Sequence, residues 1–311
     1  MSGIPILNIT EFDRNRDMFV AEFGAAYREW GFAGIQGHDI DIAVIQDAFQ
    51  AAEAFFTLPL SAKQRYCQAD NAFFRGYVPF GTEKAKDSPH ADLKEFFHVG
   101  RESGVDNQPA PHLFPNVWPD EVPEFRRAFT SIYSALDKLA LQILQAVALY
   151  LQLPADYFDT KVQNGEALLR ILHYPPIEDE TIPNLRAAAH EDINLITLLA
   201  GSEQDGLEVL SRSGEWVPIS MIEGTIICNV GDMLQRLTNH RLPSTTHRVA
   251  NPQGEQARVS RYSIPFFVHP DPEVSLACLP QCVDEDHPQR YPDISAGDYL
   301  QERLQEIGLA K

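Results

Sequence analysis

The chain has 311 residues, 44% of them hydrophobic and 22% charged, with a formal net charge of −19. That length fills one large core or two modest ones, and the apolar fraction is that of an ordinary globular chain. The negative balance repels phosphates and so argues against nucleic acid and anionic membrane as partners, while no run approaches the roughly 20 apolar residues of a bilayer span.

Ile4 to Ile9 reads as a strand. Asp13 to Trp30 reads as a helix, because Phe19, Phe23, Ala26, Tyr27 and Trp30 recur on one stripe before Gly31 stops it. A second helix is expected over Asp41 to Phe56, ending before Pro59. Phe73 to Gly100 is broken by Gly76, Pro79, Gly81 and Pro89 and reads as irregular with short strands, and Ser103 to Pro119 reads as a loop. Pro123 to Leu151 then predicts a long helix with Phe129, Ile132, Leu136, Leu139, Ile143 and Val147 facing inward.

From Glu166 the pattern changes to short strands between turns: Ala167 to His173, Ile193 to Ala200, Leu207 to Ser211, Glu215 to Pro218, Thr225 to Val230, Thr246 to Ala250 and Ser260 to Val268. Ser213-Gly214 reads as a hairpin turn. Strands at this spacing suggest a barrel or sandwich. Ser295 to Asp298 looks like a capping box for a last helix reaching about Ile307. The chain divides as a mixed helical region (1–165), a β-rich core (166–270) and a C-terminal extension (271–311), expected to form one integrated unit. The N-terminus lacks a basic segment followed by an apolar one, so a cytoplasmic location is expected. The four cysteines, Cys67, Cys228, Cys278 and Cys282, are too sparse for a disulfide scaffold.

The residues with the most chemistry are His190 and Asp192, in His190-Glu191-Asp192, and the distant His247. Two imidazoles and a carboxylate form the facial triad that binds non-haem iron(II) and leaves positions open. The spacing of two fits a strand, where alternate side chains share a face, and not a helix. By the same alternation Glu191 should face away. The apolar run Ile193 to Leu199 suggests that the triplet opens a buried strand.

Downstream, Arg261 and Ser263 also share a strand face by spacing. A guanidinium grips a carboxylate with paired charged hydrogen bonds, and a serine hydroxyl adds a neutral donor. Arg258 and Ser260 repeat the pattern and compete for the role.

The stretch from Arg170 to Pro270 resembles the iron(II)- and 2-oxoglutarate-dependent oxygenases of the isopenicillin N synthase group, which carry His-x-Asp, a distal His, and Arg-x-Ser before an apolar strand. Ser263-Ile264-Pro265-Phe266-Phe267 is similar to that strand and favours Arg261 over Arg258. His173-Tyr174-Pro175-Pro176 resembles an Asn-Tyr-Pro-Pro element whose tyrosine contacts the co-substrate, with His173 in place of Asn. Ile4 to Asn8 and Arg28 to Phe32 resemble the group's opening strand and first helix end.

The resemblance implies an α+β protein with a β-rich core, a double-stranded β-helix (jelly-roll) flanked by N-terminal and C-terminal helices. It implies Fe(II) on His190, Asp192 and His247. It also implies O2, and 2-oxoglutarate anchored by Arg261, Ser263 and Tyr174. The activity implied is oxidation, by default hydroxylation, of a small-molecule substrate with release of succinate and CO2. Family position makes His98 a candidate substrate-pocket lining, while Arg75, Tyr77, Lys94 and Phe97 read equally as linings or as plain structural residues. His240 and His269 lack a same-face partner, so solvated or capping roles are expected for them. Three other readings use the same residues: an isopenicillin N synthase-type oxidase needing no 2-oxoglutarate, a zinc hydrolase, and a non-catalytic barrel binding a metal or small acid.

Overall fold

The structure is a computed structural model and describes residues 3–69, 73–85, 89–102, 114–179, 181–201, 205–220 and 222–306. Its strands are β1 (Ile6–Asn8), β2 (Phe32–Gln36), β3 (Gly76–Val78), β4 (Glu95–Gly100), β5 (Leu168–Tyr174), β6 (Ala187–His190), β7 (Ile196–Ala200), β8 (Leu207–Leu210), β9 (Trp216–Pro218), β10 (Ile226–Val230), β11 (His247–Val249) and β12 (Arg261–Val268). They form an eight-stranded sheet in the order β1-β2-β10-β7-β12-β5-β4-β3 and a four-stranded sheet in the order β6-β11-β8-β9. This is the jelly-roll arrangement, a large sheet facing a small one, with helices flanking it.

The helices are α1 (Glu11–Arg14), α2 (Arg16–Trp30), α3 (Ile42–Phe56), α4 (Leu60–Lys63), α5 (Phe125–Tyr150), α6 (Asp159–Val162), α7 (Asp232–Leu237) and α8 (Ala296–Glu306). α2, α3 and α5 pack together, and α3 and α5 lie against strands of the large sheet. Phe55 sits in that layer with rings of Tyr77, Phe97 and Phe125 around it. α5 is the one described helix long and apolar enough to cross a bilayer, yet its stripe from Phe125 through Leu144 is buried in this core.

Several element ends follow the residues that predict them. Asp41 caps α3 by accepting from the Ala43 amide at 2.9 Å. Ser295 accepts from the Asp298 amide at 3.1 Å at the start of α8. Gly31 ends α2 in the left-handed conformation, φ 66°, and donates to Tyr27 O. A Cβ there would also strike the Thr245 side chain and the Pro243 carbonyl, on the segment leading to His247.

The structure also corrects some expectations. The first helix is two, because Asn15 breaks the run between α1 and α2. The run Gly31 to Gln36 supplies β2, which pairs with both β1 and β10. Phe73 to Gly100 does contain short strands, β3 and β4. Of the loop expected over Ser103 to Pro119, residues 103–113 lie outside the described residues, as does Ile307 at the expected end of the last helix.

Candidate metal and co-substrate site

The triplet does not open a strand. β6 ends at His190, β7 begins at Ile196, and Asp192 sits in the turn between them. Alternation along one strand is therefore not what brings His190 and Asp192 together. The turn is pinned by the N-terminus of α7, whose otherwise unpaired amides donate to it: Gly231 to Leu195 O, Asp232 to Asp192 O and Met233 to Asn194 O, at 2.9 to 3.0 Å. Gly231 is required for that approach, since a Cβ would collide with Asn194. Glu191 is exposed, accepts from Thr246 Oγ1 and stays outside the cluster of three ligand atoms, but it lines the cavity beside His190 and Asp192 rather than facing away from it.

His247 opens β11 and is the direct antiparallel partner of His190 on β6. The two ring centroids are 4.4 Å apart. One ligand atom from each of His190, Asp192 and His247 lies within 4.8 Å of the others. The remaining polar atoms are engaged elsewhere. His190 Nδ1 is 2.7 Å from Ala188 O, and His247 Nδ1 is 3.1 Å from Thr245 O. Each ring nitrogen facing a carbonyl carries the proton, which leaves the Nε2 lone pairs free. Asp192 Oδ2 accepts from Thr197 Oγ1 at 2.6 Å and Asn229 Nδ2 at 2.8 Å, while Oδ1 faces both Nε2 atoms at 3.8 and 3.9 Å. The resulting set of two imidazole nitrogens and one carboxylate oxygen suits a divalent metal of the iron class.

Burial raises the Asp192 pKa, but His247, His190 and the two hydrogen bonds outweigh it, so the carboxyl stays below its usual range. Burial, with His247 beside it, pushes His190 down to about 4. At neutral pH the site thus offers a neutral imidazole and an ionised carboxylate, the protonation states a metal needs.

Arg261, Ser263, Pro265 and Phe267 share one face of β12 and line a cavity that also contains His190, Asp192 and His247. Arg261 is 2% exposed, and its Nε and Nη1 have no partner among the described residues. Ser263 is buried beside it, and Tyr174 is its cross-strand partner on β5, with the guanidinium over the Tyr174 ring at 5.1 Å. Tyr174 and Asp205 offset part of this charge, but two buried guanidinium nitrogens left unpartnered are costly unless an anion completes them, which fits a carboxylate ligand. Arg258 ends an exposed turn of 3₁₀ helix, and Ser260 is committed to His173 Nε2 at 3.0 Å. The competing pair is therefore not a clamp. His173 Nδ1 contacts Glu95 at 2.8 Å and its ring stacks on Tyr262, so this residue braces β5.

A wider cavity of about 460 Å³ opens beside His190 and Asp192. Of the expected linings, Lys94 and His98 reach it. Tyr77 and Phe97 instead belong to the core, and Arg75 is fully buried in an ion pair with Glu166. His240 is exposed and stacks on Tyr291. His269 is half-buried at the wider cavity with backbone groups of Ile193, Glu166 and Phe267 around it, and burial lowers its pKa to about 4. Sequence reasoning missed Thr197, Asn229, Arg170 and Arg186. The last is 1% exposed, donates to Val259 O at 3.0 Å, and feels Arg261 nearby.

Residues 165–270 match the profile of the 2OG-Fe(II) oxygenase superfamily, and residues 4–121 that of the non-haem dioxygenase in morphine synthesis N-terminal family. A 2OG-Fe(II) oxygenase family protein of Caulobacter crescentus is 44% identical, superimposes with a TM-score of 0.90, and is matched over 99% of this chain and 100% of its own. The chain belongs to the 2-oxoglutarate/iron(II) oxygenases. A proline hydroxylase of Petromyces alliaceus is 36% identical over 95% of each chain. A Neurospora crassa protein, crystallised at full length in complex with alpha-KG and thymine, is 27% identical with a TM-score of 0.86, over 97% of this chain and 96% of its own. As a 2-oxoglutarate/iron(II) oxygenase the protein is a dioxygenase whose cofactor is iron(II) and whose co-substrates are 2-oxoglutarate and O2. These matches favour 2-oxoglutarate-dependent oxidation over zinc hydrolysis, oxidation without a 2-oxo acid and an inert barrel.

Proposed function

We propose that the protein hydroxylates a C–H bond of a small organic molecule, with His190, Asp192 and His247 holding iron(II) and Arg261, Ser263 and Tyr174 anchoring 2-oxoglutarate. The observation that carries this reading is the paired commitment of the three side chains. Each has one polar atom tied to a protein partner and the other left facing the same point.

Bound iron and 2-oxoglutarate together supply the oxidising power, by activating O2 as the diacid loses carbon dioxide and becomes succinate. The chain's own residues bind, orient and shield. The carbonyls of Ala188 and Thr245 fix the tautomers of His190 and His247. Thr197 and Asn229 aim Asp192. Arg261 and Ser263 receive the far carboxylate of the co-substrate, and Leu172, Leu199 and Ile227 wall its cavity from water. The wider cavity beside His190 receives the substrate.

The comparisons support hydroxylation, since a proline hydroxylase lies among the relatives, and a small substrate, since the Neurospora protein is crystallised with thymine. The net charge of −19 supports the absence of nucleic acid or anionic membrane as a partner. A cytoplasmic location belongs to the same proposal and is supported by four unpaired cysteines; cell fractionation tests it. The deciding assay is succinate release from 2-oxoglutarate with iron(II) and O2. It should collapse in His190→Ala, Asp192→Ala and His247→Ala. Near-normal turnover in any of the three removes that residue from the proposal.

A further inference from the structure

Arg170 on β5 lies where the two cavities meet and lines both. Leu168, Arg170, Leu172 and Tyr174 share one face of this strand. Tyr174 marks the Arg261 end, and Arg170 is four residues away, roughly 13 Å along the strand. That distance exceeds the length of a five-carbon diacid already anchored at Arg261, so Arg170 faces the substrate's space.

The guanidinium is rigidly held. Nε donates to Nε2 of His98, its direct cross-strand partner, at 2.8 Å, and Nη1 pairs with Glu83 at 3.1 Å. The Phe96 ring at 4.3 Å and the Phe267 ring at 5.3 Å flank its plane. Nη2 has no acceptor among the described residues. The Nη2 amino group, preorganised on a strand, is therefore offered to the cavity.

The surrounding charges select the acceptor. Glu83 also pairs with Lys94 at 2.7 Å, and Lys94 with Asp92 at 2.8 Å, so two cations face two anions. His98 donates Nδ1–H to Phe73 O, and burial together with Arg170 keeps the ring uncharged. This cluster is neutral overall. A carboxylate entering it would bring an uncompensated charge into a partly buried space, whereas a carbonyl oxygen accepts the free N–H without one.

We propose that Arg170 is the anchor for the prime substrate, and that this substrate is a small neutral molecule presenting a carbonyl oxygen, as in an amide, lactam or imide. The inference rests on the reading of the metal and co-substrate site given above.

The test is anaerobic calorimetry on the iron(II)- and 2-oxoglutarate-loaded protein, with matched neutral and acidic probes: uracil against orotate, and nicotinamide against nicotinate. A neutral member should bind in preference to its acid. Arg170→Gln should weaken that binding roughly tenfold, the loss of one charge-assisted hydrogen bond. Glu83→Gln leaves the cluster one positive charge in excess and should shift preference toward the acids. Acids binding the wild-type protein as tightly as their neutral partners, no neutral probe binding, or unchanged affinity in Arg170→Gln each overturns the inference. The 2-oxoglutarate titration done first separates the two readings. A wild-type protein that does not bind 2-oxoglutarate defeats the functional proposal itself, whereas normal 2-oxoglutarate binding with any of those outcomes defeats only the role of Arg170.

Discussion

His190 and His247 face each other as direct partners across the antiparallel pair β6–β11, with ring centroids 4.4 Å apart. Cross-strand neighbours stand about 5 Å apart at Cβ, so this pairing alone sets two nitrogen ligands at the separation one metal ion spans. Asp192 is the member that needs outside help, because it hangs from a turn. Thr197→Val or Asn229→Ala removes a donor to its Oδ2. Each should lower iron(II) affinity about 10–100-fold, measured by competition against a metal chelator. Undiminished affinity in both variants would show that the turn alone suffices to aim the carboxylate.

Arg261 should dominate co-substrate binding. Arg261→Met should weaken 2-oxoglutarate binding by about 3 kcal/mol, roughly a hundredfold, while Arg258→Ala, on an exposed turn, changes it less than about twofold. The ligand-free Arg261→Met protein should also melt no lower than wild type, since the variant removes a buried charge whose Nε and Nη1 have no partner among the described residues. Titration of both variants with 2-oxoglutarate checks the ranking, and the reverse order would reassign the clamp.

Acid should destabilise the metal-free protein in a defined window. Burial lowers His190 and His269 to about 4 from an ordinary value of 6.5. Unfolding releases both to the ordinary value, so the unfolded state binds more protons between the two. Their contribution is fully present above pH 6.5 and is lost as the pH falls toward 4. Thermal melts across that range should show a falling Tm, with a shallower slope in His269→Asn. A slope unchanged by that substitution would mean that His269 titrates normally.

Phe55 joins α3 to the large sheet and to α5 through rings of Phe97 at 5.0 Å, Phe125 at 5.4 Å and Tyr77 at 5.9 Å. Phe55→Ala should cost about 3–5 kcal/mol in denaturant unfolding. A loss below about 1 kcal/mol would indicate that the layer collapses into the space left behind.

The cluster of His190, Asp192 and His247 was legible because these residue types are rare in combination, and the proposed clamp because arginine and serine recur at a strand period. The route by which His190 and Asp192 meet was not legible. A spacing of two fits both a strand and a tight turn, and the amides of α7 that select the turn lie about 40 residues downstream. The helices α3 and α5 followed their apolar stripes closely. β2 and β6 were missed because Phe32–Gln36 and Ala187–His190 are short and contain Gly or Ala, with weak strand preference of their own. Their pairing partners, β10 and β11, make them strands. Arg170 and Asn229 carry no local signature at all, since their importance comes from neighbours that the fold delivers.

One face of β12 runs from Arg261 through Ser263 and Pro265 to Phe267. On the proposed reading its near end meets a reagent common to every turnover, and its far end meets whatever molecule is to be oxidised. Substitutions around Phe267 and Arg170 can therefore retune selectivity while the shared reagent's grip stays intact. A single-residue insertion midway would instead swing the far half of the strand to its opposite face and uncouple the two ends at once. Such a scaffold diversifies readily by point changes and poorly by changes in strand length.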